Sequence, residues 1–428
     1  MSKLVKMNVF LAFILTFALA VSCSNDDNGE TPTDDVGMTD DDPMMDDDPM
    51  MDDDDPMEEG SLFAVTAFVE TPTGTLTTIQ TTTALAGGEF NSSQAIEFDD
   101  FALISGPEGG GYFLVSQGDF ILRKYVVEED GSFSETGTLD FSDLQVRYNG
   151  PNDFVFVNDN LAYLLPFTVP VAIVFNPSNM TVIQTIDLSE FLEDGYSWRN
   201  GDGYLINGSI YKVLDYRSTT DDINDRFPGT TILKIDTNTN EASRFSDPRE
   251  YTDQQPAGVG PDGNFYIPSY VDYPFLSVER DGLDFGDYLF RFDTTTDTYD
   301  ADFQISLAES TGVLRPMKFT AMLSNGDILV QVQQEGAEYI DNDQFNSGLW
   351  DWAIISYPDF TDIEFVDSVP GSPPATLEGI IGDQFIVQNY NEDYSVLDLY
   401  IWSANQAPFE FTGLSEEQNP FGIILLRE

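Results

Sequence analysis

Arginine is scarce in this chain, and several of its copies sit beside aromatic residues. Arg147-Tyr148, Trp198-Arg199, Tyr216-Arg217 and Arg226-Phe227 are direct neighbours, and Tyr273, Arg280, Arg315 and Trp350 fall in comparable stretches. A guanidinium beside an aromatic ring holds an anionic, π-rich ligand through charge-assisted hydrogen bonds, stacking and cation–π contact. Arg147, Tyr148, Trp198, Arg199, Tyr216, Arg217, Arg226, Tyr273, Arg280, Arg315 and Trp350 therefore form the candidate ligand-binding set. The competing reading is structural. Arginines in an acidic protein pair with nearby Asp, and loop aromatics cap the ends of strands.

Other chemistry is excluded by composition. The 428 residues include no histidine and one cysteine. That removes a Ser-His-Asp triad, a His–carboxylate facial triad and any His- or multi-Cys-ligated zinc. One cysteine also forbids an intrachain disulfide. With 17 Lys+Arg against 76 Asp+Glu the net charge is −59, so a nucleic acid partner is not expected, since phosphate binding needs cationic surface. Hydrophobic residues at 41% and aromatics at 13% still supply a core. We expect no catalytic residues, no cofactor and no resident metal, and read the protein as non-enzymatic.

The remaining motifs are weak. Gly258 to Gly263 matches GxGxxG, but a strand-like run, Asn264 to Ile267, follows it where a phosphate site needs a helix N-terminus. It reads as a turn. Asp341-Asn342-Asp343 and Asp293 to Asp297 resemble calcium loops without the full spacing and distal Glu. A carboxylate pair for glycoside cleavage carries no information among so many acids.

The elements that must position the arginines begin after a targeting segment. Lys3 and Lys6 precede an apolar run, Val9 to Val21, too short to cross a bilayer comfortably. Ala20-Val21-Ser22 and then Cys23 follow, so residues 1–22 read as a secretory signal. The site resembles a bacterial lipobox, which implies cleavage before Cys23 and its acylation, hence membrane attachment through a lipid anchor. Residues 24–60 hold 17 acids and no base, with Asp-Pro-Met near-repeats. Such a segment cannot bury a core, so 23–60 reads as an acylated cysteine and a solvated acidic linker.

From Ser61 to Glu428 one pattern repeats. An apolar strand end meets a tight polar turn and restarts at Tyr112-Phe113, Ala162-Tyr163, Ile210-Tyr211, Phe265-Tyr266, Ile328-Leu329 and Phe385-Ile386, at steps of 48 to 63 residues. A second turn follows in each unit, clearest at Val174 to Pro177, Leu233 to Thr237 and Phe290 to Thr294. Strand-turn-strand, connection, strand-turn-strand is the four-stranded antiparallel blade of an all-β propeller. Six units run from about residue 102 to 415, and the strand-like ends, 61–100 and 416–428, combine into a seventh that closes the ring. Two tandem β-sandwiches are the structural alternative.

In a four-stranded meander alternate connections share a face. The middle connections, expanded at about 213–230, 268–287 and 331–351, therefore lie with the blade-to-blade segments. Two of the 17 cations belong to the signal, and eight of the other 15 fall on that face.

The lipobox at Cys23, the acidic spacer, the propeller-like course and an opening strand pair (Leu62 to Glu70, Gly74 to Ala84) together resemble the siderophore-associated β-propeller lipoproteins of Gram-negative outer membranes. That resemblance implies cell-surface display, capture of a ferric siderophore or similar small anionic ligand on one propeller face, and delivery to a TonB-dependent outer-membrane receptor. The strong acidity departs from the family pattern, and local arginines would overcome it at contact, where salt screens distant charge. Two other classes compete: an extracellular glycan-binding or glycan-cleaving propeller, and a structural protein-interaction module.

Overall fold

The computed structural model describes residues 61–428 except 72–73, 86–93, 118, 145–152, 167–168, 220–226, 228, 250–257, 269–287, 337–349, 372–377, 391–396, 403–407 and 411–418. The chain divides into two units between Asp55 and Pro56, and the second holds every described residue. The expected signal, Cys23 and the acidic linker lie outside the described residues. Among the described residues no helix is long and apolar enough to cross a membrane.

Seven four-stranded antiparallel sheets form a ring. Three strands of blade 1 are β1 (Leu62–Thr71), β2 (Gly74–Thr82) and β3 (Ile96–Phe98). Blade 2 is β4 (Leu103–Ser105), β5 (Tyr112–Ser116), β6 (Ile121–Val127) and β7 (Phe133–Asp140); blade 3 is β8 (Phe154–Asn158), β9 (Leu161–Leu164), β10 (Val171–Asn176) and β11 (Thr181–Asp187). Blade 4 is β12 (Tyr196–Ile206), β13 (Ser209–Ser218), β14 (Thr230–Asp236) and β15 (Ala242–Asp247). Blade 5 is β16 (Gly258–Val259), β17 (Phe265–Pro268), β18 (Tyr288–Asp293) and β19 (Thr298–Ser306). Blade 6 is β20 (Met317–Met322), β21 (Ile328–Gln333), β22 (Trp350–Ile355) and β23 (Ile363–Phe365). Blade 7 is β24 (Glu378–Ile381), β25 (Gln384–Tyr390), β26 (Leu397–Trp402) and β27 (Phe409–Glu410), and the last strand of the chain, β28 (Asn419–Arg427), returns to blade 1 beside β1.

The first strands of the blades meet around the axis: β28 touches β4, β8 touches β12, and β12, β16, β20, β24 and β28 follow in turn. Blade 1 thus takes its inner strand from the C-terminal end and its outer three from the N-terminal end, as the strand-like chain ends imply. Each middle strand packs on both faces, which is why it reads as a continuous apolar run. In β9, Ala162 and Leu164 join the cluster shared with blade 2, while Tyr163 joins the one shared with blade 4. Seven such clusters fill the seven seams.

Connections from first to second and from third to fourth strand leave on one face, here the lower; the others leave on the upper. Apart from 83–95 in blade 1, the lower turns are short, and those of blades 4 and 5 repeat a hydrogen-bond pattern. Asp236 Oδ1 accepts from the amides of Asn238 and Thr239, and Asp293 Oδ1 from those of Thr295 and Thr296. The fifth turn residue adopts positive φ, at Met180, Asn240, Asp297 and Phe360. The threonines of the same turns, Thr237 and Thr294, donate to Gly208 O and Gly263 O of their own blade's first turn. The preceding blade then clasps the fifth residue. Tyr163 Oη donates to Asn240 Oδ1, Tyr211 Oη to Asp297 Oδ1 at 3.0 Å, and Lys234 Nζ to Asp297 Oδ2 at 2.6 Å. Asp293 and Asp297, which resemble part of a calcium loop in sequence, serve this turn and clasp. Tyr211→Phe should cost about 1 kcal/mol in urea unfolding, since Asp297 keeps Lys234; a loss of several kcal/mol would mean the seam depends on more than this hydroxyl.

The GxGxxG segment is a tight lower turn between β16 and β17. Gly263, at φ 77°, donates to Gly260 O at 2.9 Å, so no anion cradle forms. On the upper face β13 runs on to Ser218, so the middle connection of blade 4 is shorter than the pattern suggests. Those of blades 5 and 6, 269–287 and 334–349, are long.

Candidate functional site

The upper end of blade 4 gathers several members of the candidate set along one ladder. Antiparallel pairing of β12 with β13 sets Trp198 opposite Tyr216, Ser197 opposite Arg217 and Arg199 opposite Asp215. The side chains of Trp198, Arg199 and Arg217 are not among those described, and Arg147, Tyr148, Arg226, Tyr273 and Arg280 lie wholly outside the described residues.

The described members are deep in packed surroundings. Tyr216 is buried, and its hydroxyl donates to Phe191 O at 2.6 Å in the segment between β11 and β12. Its ring lies 4.7 Å from that of Phe227, which meets Tyr196 edge-on at 5.3 Å. Arg244 on β15 donates to Phe191 O and to the Tyr216 hydroxyl and pairs with Glu193. Burial holds the Tyr216 phenol above its ordinary pKa, with Arg244 opposing. Arg315 donates to Gln333 O at 2.9 Å and stacks 5.3 Å from Phe365. Arg249, a neighbour of the set, donates to Asp247 and to the carbonyls of Asp300, Ala301 and Phe303. Trp350 opens β22 at its upper end and is 1% exposed. These groups tie blade-to-blade segments to outer strands and build the rim under the long upper connections.

Sequence reasoning passed over a buried charge. Lys212, central in β13, is 0% exposed. It shares its face with Ile210, Leu214 and Tyr216, toward blade 3. Its cross-strand partner is Gly203, where a Cβ would stand 2.5 Å from Val155 Cγ2 and 3.4 Å from Lys212 Cγ. Only glycine leaves the lysine stem its path over β12. Burial pushes the amine down to about 8, against the attraction of Asp153, 5% exposed beside β8, and of Asp202 in β12. At pH 7 the amine is thus mostly cationic, behind the inner strand β12. The available signal was its neighbourhood, Ile210-Tyr211-Lys212-Val213-Leu214, in which a charge interrupts a run buried on both faces. A second polar patch occurs in blade 6. Lys318, 8% exposed, faces Gln331 across the β20–β21 ladder, and Gln333 faces Trp350 across the next.

Among the described residues no group of His, Cys, Asp or Glu is arranged to hold a metal ion. At the upper end of blade 4 the β12–β13 ladder brings the positions of Trp198, Arg199 and Arg217 together beside the buried ring of Tyr216.

No family model matches the chain, and no curated protein matches it in sequence. Solved structures similar to it include apo AztD from Citrobacter koseri, at 11% identity over 85% of this chain and 98% of that one, with a TM-score of 0.43. A Synechocystis apocarotenoid oxygenase variant is 9% identical over 86% and 93%, with a TM-score of 0.44. A luciferin-regenerating enzyme is 10% identical over 74% and 94%, with a TM-score of 0.41. By its own strand pairing, the chain is a seven-bladed β-propeller.

Proposed function

We propose that the protein is a non-enzymatic surface lipoprotein. It captures a small anionic ligand of the ferric-siderophore type on the upper face of the propeller and passes it to a TonB-dependent outer-membrane receptor. The observation that supports this reading is the contrast between the two faces. The lower turns of blades 4 and 5 are short and occupied by their own hydrogen bonds, whereas the upper connections of blades 5 and 6, 269–287 and 334–349, are long, and blade 5 adjoins the blade carrying Trp198, Arg199 and Arg217.

Calorimetric titration of the full chain carrying Cys23→Ser tests the reading, with ferric catecholate, ferric hydroxamate and a panel of acidic and neutral oligosaccharides. Tryptophan emission is a poorer readout, because Trp350, Trp352 and Trp402 are each 1% exposed. A ferric complex should bind saturably, and Arg217→Glu with Arg280→Glu should weaken it by at least about 100-fold, two charge-assisted contacts being lost. Indifference to iron complexes with saturable binding of a sugar would sink the proposal.

A further inference from the structure

A pocket at the lower end of four inner strands is lined mainly by apolar residues in a protein that is otherwise acidic, and we infer that it binds the aliphatic chain of a small amphiphile whose head group is cationic. The inner strands β4, β8, β24 and β28 wall a cavity of about 210 Å³ there. Phe156, Ile380, Ile381, Ile424 and Leu425 are among the seven apolar side chains of its lining, beside Ser105, Gly106 and Glu108. Ile380 is 41% exposed although it belongs to an inner strand, so the pocket rather than a neighbouring blade receives its side chain. Water against such a wall is readily displaced by an alkyl chain.

The head-group preference follows from Glu108. Among the described residues it is the single ionisable group in the lining, and its carboxylate accepts the amide of Gly382, which fixes it at the lower mouth. The nearest base along β28, Arg427, is not in the lining. An ammonium head would meet a carboxylate there, and a carboxylate head would be repelled. The volume equals about seven water molecules at about 30 Å³ each, which is room for roughly six to eight carbons of the chain. This site lies on the opposite face from the proposed anion site and does not depend on it.

The test is calorimetry of the full chain carrying Cys23→Ser with n-alkylammonium ions from butyl to dodecyl, below their micellar concentrations, and with octanoate. Affinity should rise about fourfold per methylene as far as about octyl and then level off. Octylammonium should bind at least about tenfold more tightly than octanoate, and Glu108→Gln should shrink that ratio to about threefold or less. Ile380→Trp should fill the cavity and weaken octylammonium at least about tenfold, with Ile424→Phe as the second variant if that chain does not fold. Arg217→Glu with Arg280→Glu should leave octylammonium binding unchanged. Absence of saturable octylammonium binding, equal affinity for octanoate, or binding unaffected by both filling variants would each overturn the inference.

Discussion

Lys212→Met is expected to stabilise the propeller by up to about 3 kcal/mol at pH 7, methionine fitting the space of the lysine stem. Packing is nearly conserved by that change, so the gain is electrostatic. Burial costs the ammonium more than Asp153 and Asp202 return, which is why its pKa is depressed. The double variant Lys212→Met with Asp153→Leu also removes a carboxylate that is 5% exposed and should be at least as stable as the single one, because a buried pair contributes little against apolar groups of similar volume. Urea unfolding of all three chains decides the matter. A loss of several kcal/mol in Lys212→Met would mean that the carboxylates outweigh the burial of the amine.

The same group sets a pH dependence. Its folded-state pKa, about 8, lies below the ordinary value of about 10.4. Between those limits the unfolded chain binds the proton and the folded one does not, so stability rises with pH across the window, by about 3 kcal/mol in all. Tyr125, pushed up to about 12 by burial and by Glu135, acts in the opposite sense, as do Tyr112 and Tyr266. Their stabilisation is complete below about pH 10 and is lost as pH climbs through their folded values. The wild type should therefore gain stability from pH 8 to 10 relative to the double variant. A flat difference would contradict the buried charge.

Deletion of residues 419–428 should abolish cooperative unfolding altogether. β28 pairs with β1 from Leu62 opposite Arg427 to Phe68 opposite Asn419, and Leu426 is 0% exposed. Its carbonyls at Leu425 and Leu426 also receive the amides of Gly109 and Gly111, which seat the first turn of blade 2. Without it, blade 1 has three strands, β1 shows an open edge toward the axis, and blades 7 and 2 lose their shared neighbour. Such an edge invites association. Circular dichroism on heating should show a broad, non-cooperative change, and limited proteolysis should cut throughout the domain. A synthetic peptide of residues 419–428 should restore part of the transition. A sharp transition in the truncated chain would show that the ring does not need this closure.

The blade pattern was legible because the second strand of each blade starts directly after a tight turn. Ala162-Tyr163, Ile210-Tyr211 and Phe265-Tyr266 all stand at or next to that point. Closure was legible for a simpler reason: two strand-like fragments were left over, one at each end. The site was less so. Proximity to an expanded connection placed Trp350 on the ligand face, yet it already belongs to β22 and is covered. Tyr216 similarly remains inside β13, which runs on past it. Lys212 escaped notice because one lysine in a strand normally marks a solvent-facing position. Only the pairing register shows that Gly203 lies opposite and opens a path inward. Burial of a charge depends on what lies across the ladder, and a linear pattern does not report that.

The position of β1 also bears on how the domain would carry a mechanical load. The chain enters at the lower end of β1 and runs upward between β28 and β2. Tension drawn downward through residue 61 therefore acts along the strand axis. The hydrogen bonds of both ladders lie across that axis. They would be strained together in shear, on two sides at once, instead of being peeled apart one at a time. A pull on the N-terminal side thus meets the strongest direction of blade 1, while the same pull applied sideways to an outer strand such as β11 would unzip it from a single neighbour.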